Sequence, residues 1–85
     1  MQERRRAARQ RTFKSGTIAF NRAGGIDCTI RNLSPIGACL EVESLLGIPT
    51  DFDLVIEKEN VHYACRVVWR QNKRLGVDFG DVRLL

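Results

Sequence analysis

The chain has 85 residues, 28% of them charged, and a formal net charge of +4. A chain of this length is one domain with a modest core and no room for a deep cleft between lobes. It contains no long apolar run and no apolar stretch behind its basic N-terminus, so neither a membrane-spanning helix nor a secretory signal is expected.

The charge is unevenly placed. Positions 3 to 14 carry six basic side chains and one acid, Glu3, whereas the chain from Thr17 onward carries eight basic and nine acidic ones. By that count the first segment stands at +5 and the rest at −1, which together give the +4 of the whole. Cationic charge concentrated in this way suits an anionic partner. Residues 1–12 therefore read as a basic arm. It is flexible because like charges repel and there is little apolar surface to fold upon.

Residues 13–80 alternate apolar with polar side chains, the mark of half-buried strands. The first strand runs from Phe13 to Phe20, with Gly16 as a possible bulge position. Asn21 to Gly25 is a turn, since paired glycines supply positive φ. Ile26, Cys28 and Ile30 face inward, and Ala38, Leu40 and Val42 resume that face after an interruption at 32–37. Phe52, Leu54 and Ile56 alternate with Asp51, Asp53 and Glu57. After Lys58-Glu59-Asn60, an apolar stripe runs through Val61, Tyr63, Cys65, Val67 and Trp69, which places Trp69 in the core. Arg66 and Arg70 face outward. A turn at Gln71-Asn72-Lys73 leads to Leu75, Val77 and Phe79. The pattern predicts an all-β fold, a six-stranded antiparallel barrel that removes its edges by closing. Residues 81–85 form a C-terminal tail that either begins a helix or covers one end of the barrel.

No nucleophile with its base, carboxylate pair or metal cluster stands out, so no enzyme is expected. Cys28, Cys39 and Cys65 are odd in number and widely spaced, and His62 is the single histidine. This argues against zinc and a disulfide framework and for reduced thiols in a cytoplasmic protein. His62 reads as an exposed strand residue.

Two motifs remain. Arg5 and Arg9 form RxxxR in the arm, and Asn32, Ser34 and Gly37 form NxSxxG between the second and third strands. In this order, and followed by Val67-Val68-Trp69 and Arg74-Leu75-Gly76-Val77-Asp78-Phe79, they resemble the PilZ domain, a bacterial receptor module for cyclic di-GMP. The resemblance runs from Glu3 to about Gly80. It implies that Arg5 and Arg9 clamp phosphate and guanine, with Arg4 and Arg6 in support. It also implies polar contacts from Asn32 and Ser34, and close backbone approach at Gly37. In similar proteins the residue before RxxxR bears on whether one ligand or a stacked pair is bound; here it is Arg4, and the resemblance implies a stacked pair. The family commonly has Asp where this chain has Asn32. The amide lacks the carboxylate's charge and offers guanine a weaker acceptor. The chemistry fits, because a guanidinium fork pairs with phosphate oxygens and with guanine O6 and N7.

The reading is thus a cyclic di-GMP-binding receptor or adaptor, needing no cofactor, whose arm becomes ordered on binding and alters the surface met by an effector protein. One alternative is a ligand-independent adaptor. Another is a nucleic-acid-binding barrel, against which stands the inward placement of every aromatic except Phe13.

Overall fold

The structure is a computed structural model that describes residues 10–20 and 25–84. Among these residues six strands form: β1 (Gln10–Ala19), β2 (Ile26–Leu33), β3 (Gly37–Glu41), β4 (Asp51–Ile56), β5 (Val61–Gln71) and β6 (Arg74–Leu84). A single 3-10 turn, Glu57–Glu59, joins β4 to β5. All pairings are antiparallel, and the barrel closes in the order β1-β2-β3-β6-β5-β4. Asn60 and Asn72, at the ends of the two turns that flank β5, take the left-handed φ of 54° and 57° that asparagine tolerates.

The inward stripes meet as expected. Ile18, Ile30, Leu40, Leu54, Ile56 and Leu75 are wholly enclosed, with Phe52, Val61 and Val77 beside them. Tyr63 and Phe79 stack with ring centroids 4.1 Å apart and pack against this core. Ile48, in the connection before β4, is also buried.

Several expectations are corrected. β1 begins at Gln10, so residues 10–12 belong to the barrel wall and not to a free arm. Its irregularity lies between Arg11 and Lys14, while Gly16 pairs regularly with Cys28. Where the sequence leaves 81–85 open between helix and cap, β6 continues as strand to Leu84, opposite Val61. The turn expected at 21–25 falls mostly outside the described residues. His62 is half-buried, its Nδ1 3.8 Å from the Asp53 carboxylate.

The largest correction is Trp69, which is 45% exposed and not core. Val67 pairs with Val77 and Trp69 with Gly76, so Val68 is an extra residue in β5. One inserted residue exchanges the two faces of a strand. Trp69 therefore turns outward and lies across Gly76, where any Cβ would collide with the indole.

The closure is uneven. β5 and β6 pair from Val61↔Leu84 to Gln71↔Arg74, but β1 meets β4 only across Thr17–Ala19.

Candidate ligand-binding site

The loop between β2 and β3 is built from its own motif. The Ser34 hydroxyl accepts from the Ile36 and Gly37 amides at 3.3 and 3.2 Å and donates to the Gly37 carbonyl at 3.2 Å. The Ser34 amide donates to the same carbonyl at 2.9 Å. This is local side-chain-to-backbone turn chemistry, and it occupies the hydroxyl within the loop. The loop is fastened to β6 where the Phe79 amide donates to the Ile36 carbonyl at 2.9 Å. Gly37 has no positive φ. It is required because a Cβ would strike the Val77 carbonyl oxygen on β6.

Asn32 is half-buried, and its side-chain amide makes no hydrogen bond among the described residues. Its place on the outer face follows from the register. Ile30 is buried and pairs with Leu40, while Asn32 pairs with Cys39, so Arg31 is an extra residue in β2 and the strand changes face there. β1 has the matching irregularity, with Arg11 opposite Asn32 and Lys14 opposite Ile30.

These irregularities align one outer row across five strands. Arg11 pairs with Asn32, Asn32 with Cys39, Cys39 with Gly76, and Gly76 with Trp69. At about 4.8 Å between neighbouring strands, the step from Asn32 to Trp69 is about 14 Å along the sheet. The row joins a guanidinium, a free amide and an indole face. Those are donors for phosphate, an edge for a base and a surface for stacking. Sequence reasoning left Trp69 out of this group. The available signal was Gly76, a glycine inside a regular strand, which marks close approach by a neighbour.

Arg4, Arg5, Arg6 and Arg9 lie outside the described residues. Their point of attachment does not. Gln10 pairs with Leu33, the residue before Ser34, and Arg9 is the next residue along the chain from that anchor. Arg5 is five residues from that anchor, within about 17 Å of chain.

Three other cations are engaged elsewhere, and two of them, Lys14 and Arg70, stand opposite the enclosed Ile30 and Leu75 and so do not share the outer row. Arg66 pairs with Asp51 at 3.3 Å, and Arg70 donates to the Ile48 carbonyl at 2.9 Å. Lys14 forms an ion pair with Glu59. An open concavity of about 910 Å³ runs beside β1, but none of Asn32, Ser34 or Gly37 lines it. Its five carboxylates, including Asp27 and Glu57, outnumber its three lysines and disfavour an anion.

Burial pushes the thiols of Cys28 and Cys65 up to about 12, with the nearby Asp27 and Asp53 carboxylates adding to the rise. Such thiols stay protonated and unreactive. All three cysteines are free. Among the described residues no cluster of His, Cys, Asp and Glu could hold a metal, and no helix is long and apolar enough to cross a membrane.

Compared with models of known families, the chain matches the one described as the PilZ domain over residues 3–84. Comparison with curated proteins gives no match.

Proposed function

The chain belongs to the PilZ domain family, a family of cyclic di-GMP-binding rather than catalytic domains, and from this premise we propose that it is a cyclic di-GMP receptor whose N-terminal arm is the moving part. The observation that carries the reading is the pairing of Gln10 with Leu33, which roots the arginine-rich arm beside Asn32 and Ser34.

Binding follows from the chemistry of the two partners. Arg5 and Arg9, supported by Arg4 and Arg6, take the phosphates and guanine edges through bidentate hydrogen bonds. Asn32 offers a guanine its amide. Ser34 and Gly37 shape the loop against which the ligand rests. Trp69, at the far end of the outer row, is a platform for a base. Neutralising the arginines fastens the arm over the loop, and that ordering changes the surface an effector protein meets. The ordering opposes binding entropically, so affinity falls below what the contacts alone suggest.

Titration calorimetry tests this directly. The unaltered protein should release or absorb heat with cyclic di-GMP. Arg9→Ala should abolish detectable binding, while Lys14→Ala, whose ammonium is already held by Glu59, should change it only slightly. Equal losses from the two would mean a diffuse positive field without a clamp. An outward Trp69 in the same outer row as Arg11 is the feature that favours nucleic acid instead. Salt-dependent gel shifts, with no response to cyclic di-GMP, would support that reading.

A further inference from the structure

Gln10, the root of the arm, stands opposite Leu33 because extra residues in β1 and β2 set the register there, and one side chain joins both places. Arg31 is the extra residue of β2. Its Nη1 donates to the Glu41 carboxylate on β3 at 2.7 Å. The guanidinium carbon lies 4.4 Å from the centroid of the Phe13 ring, within the irregular stretch of β1. Phe13 is 77% exposed, so the ring is held by the cation and not by core packing. Arg31 thus links β1, β2 and β3 beside the irregularities of β1 and β2.

We propose that Arg31 is a positioning residue for ligand binding, locking the root of the arm in register with Asn32. This rests on the cyclic di-GMP reading above. A slip of one residue in β1 would turn Arg11 to the other face and carry the root of the arm about 3.4 Å along the strand. The chain leading to Arg9 would then start from a different point relative to the loop. Affinity scales with the fraction of molecules in the competent register. Arg31 acts on that fraction and does not touch the ligand.

The test compares the unaltered protein with Arg31→Ala, Arg31→Lys, Phe13→Leu and the double variant Arg31→Ala/Phe13→Leu, by calorimetry with cyclic di-GMP well below each melting temperature. If the competent fraction falls to a tenth, Arg31→Ala binds about tenfold more weakly. Arg31→Lys, which keeps a cation for both partners, recovers most of that loss. Phe13→Leu loses about threefold, because its share of the lock is smaller. The double variant binds no more weakly than Arg31→Ala, since both changes open one lock. The salt dependence of binding is the same throughout, because the arm's charges are intact.

Amide hydrogen exchange reads the register without ligand. Arg31→Ala should hasten exchange over residues 10–13 and leave β4 unchanged. Absence of heat with the unaltered protein would overturn the ligand reading and this inference together. Normal binding by the unaltered protein and by Arg31→Ala or Phe13→Leu would overturn this inference alone. So would losses that multiply in the double variant, or a weaker salt dependence in Arg31→Ala, which would mean direct ligand contact.

Discussion

β4 and β2 each lie between two strands, yet they carry different burdens. β4 alternates without interruption: Phe52, Leu54 and Ile56 are buried, and Asp51 and Asp53 are exposed. β2 follows the same rule through Cys28 and Ile30, then inserts Arg31 and presents Asn32 to the outside. Regular pairing builds the core, and a broken period turns a side chain to the outer face. The two strands should therefore fail in different ways.

The greatest loss of stability is expected from Leu54→Ala. Emptying a fully enclosed site costs about 2–5 kcal/mol, measured by chemical denaturation. Where the variant is still folded, its affinity for cyclic di-GMP should match the unaltered protein. A parallel fall in affinity would erase the distinction between the two strands. Gly37→Ala should affect both properties. The new Cβ meets the Val77 carbonyl, and the backbone shift costs about 1–3 kcal/mol while displacing the loop. Asn32→Ala inverts Leu54→Ala. Its stability should change by no more than about 0.5 kcal/mol, confirmed by circular dichroism melting. Its affinity should drop by about threefold to tenfold, the worth of one hydrogen bond.

The last effect concerns pH and is absent at neutrality. The folded thiols of Cys28 and Cys65 titrate at about 12 against an ordinary 9.0. Between those values the unfolded chain has released protons that the folded chain retains. Their contribution is complete below about pH 9 and is lost as pH rises toward 12. Denaturant midpoints should decline across that window, and Cys28→Val should flatten the decline.

The same contrast explains what could be read from the sequence. Strict alternation made β4, the inward half of β5 and the closed barrel legible, because burial leaves one register open to each. The NxSxxG loop was legible because turn residues act locally. Trp69 was misplaced, since a period counted through Val67 cannot reveal that Val68 is supernumerary. Arg31 went unnoticed for a related reason. Its partners Phe13 and Glu41 are 18 and 10 positions away, and only pairing across strands brings them together.

The short join between β1 and β4 has a mechanical consequence. A ring of six staves parts at its thinnest hoop, and here that is the stretch Thr17–Ala19. Subglobal opening follows the least costly path, so the β1–β2 ribbon can swing away as one flap while β5 and β6 stay zipped. A ligand gripped by the arm and the β2–β3 loop, with a base on Trp69, would reach from the flap across β3 and β6 to β5 without crossing that hoop. Its capture would hold the flap against the β6–β5 side and leave the β1–β4 join as the seam along which the molecule opens.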